Sequence, residues 1–467
     1  MTTARPPAQL LRQLGVISAT ALVVSNMVGT GIFTSTGFFA GDIGSVGLIM
    51  VLWIVGAICA LTGAFVYSEL GINYPSSGGE YVYLTRAFGP TWGFLTGWIS
   101  FFAGFSAPIA AAALAFSDYL GYFWPALKQE NAIVTFTAGT LNFRLGGAQL
   151  AASALIALFT VANFFGVRRI AWAQNILTST KILVLVAFVL LGFTIGTGSW
   201  DNFSQPAVRT SSASLPVQFA ISMFFIYLSY SGWNAATYVA EELKEPKRTL
   251  PLALALGTAG VAVLYLLLNA VFIYAVPLEK MKGELAVGSL AASHLFGPGV
   301  AGVFAALMAL SLVSTVNAMV TIGPRLYYAM ARNGAFVSAA ARVDERWHTP
   351  VFAIVCQGAC AILMTLTPFP QLVYYIGFTL NFFAAVTVCS IFVLRRQPGW
   401  QKLKVVDFAW PLVPAAFVLI AGAVVIVGVT LAPKVALAAV ITIVSGAIVY
   451  RLRSSGGGAS RQMAGAD

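Results

Sequence analysis

Apolar runs long enough to cross a bilayer recur twelve times along this 467-residue chain. A membrane-spanning helix needs roughly 20 mostly apolar residues. The runs lie at about 16–39, 46–70, 92–118, 149–166, 172–195, 216–239, 251–276, 299–324, 351–367, 371–394, 410–431 and 435–450. Within lipid a helix satisfies its own backbone polar groups. The runs are too long and too evenly apolar for the short alternating strands of a membrane barrel. Charged residues make up only 9% of the chain, against roughly 25% in a soluble domain. The expectation is an all-α polytopic membrane protein with twelve transmembrane helices.

Charge gives an orientation. Arg5 and Arg12 precede the first run, which ends without a small-residue cleavage site and so reads as a permanent helix. With the N-terminus inside and twelve spans, Arg168, Arg169, Lys244, Lys247, Arg248, Arg395 and Arg396 face the cytoplasm. Fewer basic residues fall outside: Lys128, Arg144, Arg209, Lys280, Lys282 and Lys434. This is the asymmetry of a plasma (inner) membrane protein with both termini cytoplasmic. The net charge of +11 then reflects topology and contact with anionic lipid, and implies no nucleic acid partner. Cys59, Cys356, Cys360 and Cys389 all fall within apolar runs and read as small buried side chains.

Two of the runs are interrupted at glycines, about two hundred residues apart and at matching depth. The first interruption is Val28-Gly29-Thr30-Gly31-Ile32-Phe33 and the second is Ser229-Tyr230-Ser231-Gly232-Trp233-Asn234. Paired broken helices in corresponding positions of two halves mark a transporter's binding site. Five spans per half is an odd number, so two like halves in series point opposite ways through the membrane. The chain is expected to form one transporter domain over 1–467. Its parts are repeat one at about 15–195, an inverted repeat two at about 215–395, and two added helices at about 410–450. A disordered tail is expected at about 454–467, from its Ser, Gly and Ala content.

The chemistry of the two breaks is complementary. Unwinding at Gly29 frees the N–H groups of Thr30, Gly31 and Ile32 at the start of a second half-helix, where the dipole favours a carboxylate. Asn26 adds a polar group one turn earlier. The same small residues also suit a helix-packing face. At the sixth span, carbonyls around Leu228 to Ser231 end a half-helix and can accept hydrogen bonds from an ammonium. Carboxylate at one break and ammonium at the other describe the backbone of an amino acid. Gly232, Trp233 and Tyr230 can line or cap such a pocket, or pack in the core. Asn234 can bond ligand or the unwound strand.

Lys181 stands in the middle of the fifth span, where insertion of a charge costs about 2.5–3.5 kcal/mol. An ammonium kept there is paired, replaces a metal cation, or is deprotonated part of the time. A structural lysine beside a polar cavity is the plainer alternative.

These residues carry a family resemblance. Gly29-Thr30-Gly31-Ile32-Phe33, Tyr67-Ser68-Glu69-Leu70-Gly71, Pro75-Ser76-Ser77-Gly78-Gly79-Glu80-Tyr81, Ser231-Gly232-Trp233-Asn234, Glu241-Glu242-Leu243-Lys244-Glu245-Pro246-Lys247-Arg248 and Gly323-Pro324-Arg325 occur in this order across nearly the whole chain. The chain resembles the amino acid–polyamine–organocation superfamily, near its bacterial amino acid permeases and its L-type transporter branch. The resemblance implies a five-plus-five inverted-repeat fold like that of the sodium-coupled leucine transporters. It implies that Thr30, Gly31 and Ile32 bind the substrate carboxylate, and that carbonyls of Met27, Leu228 and Ser231 bind the amine. It places Lys181 where relatives bind sodium, near Asn26–Gly29 and an eighth-helix hydroxyl, Ser314 or Thr315. Glu69 and Tyr230 are gate candidates.

Two departures stand out. Leu228 occupies the gate position where many large-neutral transporters have phenylalanine. The third-helix cysteine that links eukaryotic members to a heavy chain is missing, so no disulfide-linked heavy chain is expected. The membrane-embedded acids found in the sequence are Glu69 and Asp118, both near span ends, which favours a neutral substrate over a cationic one.

The expected function is secondary active transport of neutral L-amino acids by alternating access. It is sodium-independent and runs by proton symport or exchange. Polyamine or cationic amino acid transport is the alternative within the superfamily, and a membrane amino acid sensor or channel the alternative outside it. Enzyme motifs are lacking, and no cofactor or metal is called for.

Overall fold

The computed structural model describes residues 12–138, 141–165, 167–284, 286–431 and 433–455. Of the tail expected at about 454–467, the first two residues end the last helix and 456–467 lie outside the described residues. The described chain is helical apart from connections and one antiparallel hairpin, Ala132–Ala138 with Leu141–Gly146, between the third and fourth spans.

Eleven helices among the described residues are long and apolar enough to cross a membrane. The protein is an all-α multi-pass membrane protein. The ninth expected span, over 351–367, is a shorter apolar helix, Val351–Met364, of 14 residues. Its far end meets the hairpin, where the Arg144 N–H bonds Leu366 O at 2.7 Å, so it still carries the chain across between the eighth and tenth spans. At 1.5 Å per residue it is about 21 Å long, short of a hydrocarbon core of about 30 Å. The Thr365 hydroxyl bonds back to the Ile362 carbonyl, and Pro368 follows, so the apolar run turns before its helix is complete.

Both broken spans take the expected form. The first consists of Val16–Met27 and Thr30–Asp42, with Val28 and Gly29 extended between them. The sixth consists of Leu215–Tyr230 and a 3₁₀ segment, Ala235–Glu242. Between these, Gly232 takes φ +94°, a backbone conformation that favours glycine. A Cβ there would lie 2.7 Å from the Asn26 carbonyl carbon, so the two breaks meet backbone to backbone.

The remaining spans wrap this pair. The third, Pro90–Leu120, includes a π-helical stretch at Ser100–Ser106. Its alanine-rich outer half packs on the eighth, Pro298–Arg332, as small side chains let two helices approach closely. The seventh, Pro246–Ala275, lies against the first and the second, Val46–Asn73. It places Tyr265, fully buried, between the rings of Trp53 and Tyr230. The last two spans, Leu412–Leu431 and Pro433–Ser455, bury much less of their surface than the central helices and sit at the periphery.

At one end of the bundle the helix termini are tied by buried ion pairs. Arg325 bonds Glu242 at 2.7 Å, joining the eighth helix to the end of the sixth. Arg395, after the tenth helix Phe369–Leu394, grips both oxygens of Glu69 at 2.6 and 2.7 Å. A short helix, Glu80–Phe88, fills the turn between the second and third spans.

Candidate substrate and coupling site

Two adjoining cavities lie at the breaks. The first is walled by Met27, Gly29, Thr30, Gly31, Leu228, Ser231 and Thr315. The second is walled by Gly232, Trp233, Asn234, Tyr227, Tyr238 and Glu80, among others. Asn26, Pro108, Ser231 and Met319 line both, so they form one chamber. The second cavity reaches Ser100 in the third span and Ile322 in the eighth, on the side of the breaks where the Glu80–Phe88 helix lies.

Thr30, Gly31 and Ile32 open the second half of the first helix. The first N–H groups of a helix have no acceptor within it, and the half-helix dipole adds positive potential there. Ile32 itself is fully buried and walls neither cavity; only its backbone can serve a ligand. Gly31 faces the sixth helix so closely that a Cβ would lie 2.2 Å from Ser229 Oγ. Ser229 Oγ also lies 3.2 Å from Ser35 Oγ. The outer halves of both broken helices are therefore in direct contact.

Two of the three carbonyls expected to meet an amine, Met27 O and Leu228 O, already have partners. Tyr265 donates its hydroxyl toward Met27 O at 2.6 Å and Ser229 O at 3.0 Å. Leu228 O accepts from the Ser231 N–H at 3.1 Å and from Ser231 Oγ at 2.8 Å. A carbonyl oxygen carries two lone pairs, so Met27 O keeps room for a second donor. Sequence reading missed Tyr265, because a tyrosine in an apolar run reads as core until both acceptors are seen.

Lys181 is buried, and its Nζ lies 2.7 Å from Val28 O, 2.8 Å from Thr315 Oγ1 and 3.5 Å from Ser25 O. The three oxygens come from the first-helix break and the eighth helix, as an alkali cation's ligands would. The structure separates the two hydroxyl candidates. Thr315 meets the ammonium, whereas Ser314 Oγ accepts from Gln174 Nε2 at 3.0 Å. Asn317 Nδ2 binds the other end of that amide, Gln174 Oε1, at 2.6 Å. Asn26 turns its amide to Leu22 O at 2.8 Å.

The gate candidates do not meet at the chamber. Tyr230 donates to Trp53 O at 3.0 Å and walls neither cavity. Glu69 is fully buried near the end of the second span, where Trp400 Nε1 and the Leu403 N–H join Arg395 on its oxygens.

The acid that does reach the chamber is Glu80, which the sequence reading leaves in the first inner loop. Its Oε1 accepts from Tyr67 Oη at 2.6 Å and from Asn234 Nδ2 at 3.0 Å. Trp233 walls the chamber beside it and packs edge-on against Tyr67, with ring centroids 4.7 Å apart. The reading that Glu69 and Asp118 are the embedded acids is thus incomplete. A signal was present: Glu80 directly follows a glycine pair and opens a helix.

A family model described as amino acid permease matches residues 14–450. The chain belongs to the amino acid permease family. Among curated relatives, this permease is 30% identical over 427 residues to "Large neutral amino acids transporter small subunit 2" of Oryctolagus cuniculus. That match covers 87% of the permease and 74% of the relative. It is 29% identical to "Asc-type amino acid transporter 1" of Mus musculus, covering 87% and 75% of the two chains. It is 28% identical to "b(0,+)-type amino acid transporter 1" of Mus musculus, covering 85% and 79%. The permease is a transporter of amino acids rather than an enzyme.

Proposed function

We propose that the chain carries neutral L-amino acids across the plasma membrane without sodium, by alternating access of two inverted repeats, with both termini cytoplasmic. The observation that carries this reading is the Lys181 ammonium, 2.7 Å from Val28 O and 2.8 Å from Thr315 Oγ1. A tethered ammonium among these oxygens supplies the charge that a bound sodium ion would otherwise supply, so the first-helix break stays neutralised without one. The substrate carboxylate faces the N–H groups of Thr30, Gly31 and Ile32, and its amine faces the carbonyls of Met27, Leu228 and Ser231. The names of two relatives, a large neutral amino acid transporter and an Asc-type amino acid transporter, support amino acid cargo with uncharged side chains.

No disulfide-linked heavy chain is needed. The segment after the third span, about 119–148, contains no cysteine, and all four cysteines lie in helices.

The test is uptake of neutral L-amino acids into proteoliposomes, with sodium replaced by choline. The expected result is an unchanged initial rate; a severalfold loss on removing sodium would overturn the reading. Preloading the vesicles with unlabelled substrate separates exchange from symport, since uptake at full rate into empty vesicles under a pH gradient excludes obligate exchange.

A further inference from the structure

Glu80 is a buried carboxyl that forms no ion pair among the described residues. The titratable groups that face it are phenols. Tyr67 comes from the second span, Tyr83 from its own helix, and Tyr227 and Tyr238 from the two halves of the sixth. The turn of the third span packed on its helix, Pro90–Ile99, carries no titratable side chain. The tenth helix, packed on the same short helix, brings only Tyr374, Tyr375 and Cys389. Burial holds the Glu80 carboxyl above the usual carboxylate range, against the hydrogen bonds from Tyr67 and Asn234.

The donors matter as much as the acid. Asn234 lies two residues beyond Gly232, in the linker that leads into the cytoplasmic half of the sixth helix. Its amide is what ties that linker to the inner helix. A second tie joins the same elements nearby: Glu241 accepts from Ser76 Oγ at 3.0 Å and from the Ser77 N–H at 3.2 Å. The two acids are placed differently. Glu241 lies outside both cavities, whereas Glu80 walls the chamber, where water can exchange protons with it.

We propose that Glu80 is a proton-binding site whose charge state sets whether the sixth-helix break is tied to the inner helix. When ionised, Glu80 accepts strong charge-assisted bonds from the Tyr67 hydroxyl and the Asn234 amide, and the observed arrangement holds. A proton from chamber water converts it to a neutral carboxyl, a weak acceptor that can itself donate. The Asn234 tie is then lost, and the cytoplasmic half of the sixth helix is held by the Glu241 and Arg325 ties alone. Loss of the proton to the same water restores the tie. Transport is therefore faster where Glu80 is protonated, and slows as pH rises through its titration. This deepens the transport reading above and rests on it for the rate effect alone.

Two measurements test it. The first needs no substrate: infrared difference spectra of the purified protein between acid and neutral pH. The expected result is a protonated-carboxyl band that Glu80→Gln removes and Glu241→Gln leaves; a band unchanged in Glu80→Gln overturns the proposal. The second is the pH profile of uptake in proteoliposomes. Wild-type turnover is expected to rise about threefold or more as pH falls through the Glu80 titration, which lies above the ordinary carboxylate range, while Glu80→Gln, fixed neutral, stays flat and Glu80→Asp recovers the slope. A slope kept by Glu80→Gln, or lost equally in Glu241→Gln, overturns it. Absence of transport in every variant including wild type would refute the transport reading, and leave the infrared result to decide the proton site.

Discussion

The two helix breaks are held by opposite means. At the first, Lys181 reaches in from an unbroken span and presents an ammonium to backbone and hydroxyl oxygens. At the second, Glu80 reaches in from a short helix outside the spans and presents carboxylate oxygen to an amide and a phenol. Neither has a partner of opposite charge among the described residues. A buried charge without a counter-ion persists only where polar groups solvate it well. Lys181 has three oxygens close by, two of them backbone carbonyls that cannot titrate. Glu80 has two side-chain donors, and one of them belongs to the segment that unwinds. The first arrangement sets an ammonium where a cation would stand; the second hangs on the segment that unwinds.

Several substitutions break or sharpen this contrast. The largest effect is expected where the breaks touch. Gly31→Val places side-chain carbon against Ser229, already 2.2 Å from where a Cβ would stand, and should abolish substrate binding in a thermal-shift assay. Next is Lys181→Ala, which removes the ammonium from Val28 O and Thr315 Oγ1 and leaves Val28 O only the Thr315 hydroxyl as donor. A loss of about 3 kcal/mol in transition-state stabilisation, roughly a hundredfold in transport rate, is expected at every pH. Wild-type rates in that variant would erase the contrast.

Glu80→Gln is expected to change the shape of the pH profile more than its height. It has a second signature in stability. A carboxyl whose value is higher folded than unfolded binds its proton more tightly in the native state. That stabilisation is present at low pH and is lost as pH rises from the ordinary 4.5 through the folded value. The wild-type melting temperature should fall across that window, and the Gln variant's should fall less. Smallest is Tyr265→Phe, which removes one hydroxyl from Met27 O and Ser229 O and should lower stability by about 1 kcal/mol, read by thermal melting.

How much of this was legible in the sequence varied with the physics. Glycines inside apolar runs have few uses, so both breaks could be placed to the residue. A lysine in mid-span is costly enough to announce itself. Ser314 and Thr315 are neighbours on one helix, about 100° apart, and only packing shows that Thr315 faces Lys181 while Ser314 faces Gln174. Glu80 was hidden for a different reason. It lies outside every apolar run, in a Pro-, Ser- and Gly-rich turn, and becomes buried only when that turn folds back against the sixth helix. The ninth run folds as a helix shorter than its apolar length, because composition reports apolarity but not where a helix stops, which Thr365 and Pro368 decide. The inverted repeat is not legible in residue matches; the expectation of it rests on counting spans and on the family resemblance.

Tyr265 links the two breaks through a single atom. Its hydroxyl oxygen stands 2.6 Å from Met27 O in the first helix and 3.0 Å from Ser229 O in the sixth. While both contacts persist, the two broken helices can swivel about that oxygen but cannot slide past one another. The phenol is in that sense a pivot, and any change of access that keeps it must be a rotation centred beside the two breaks.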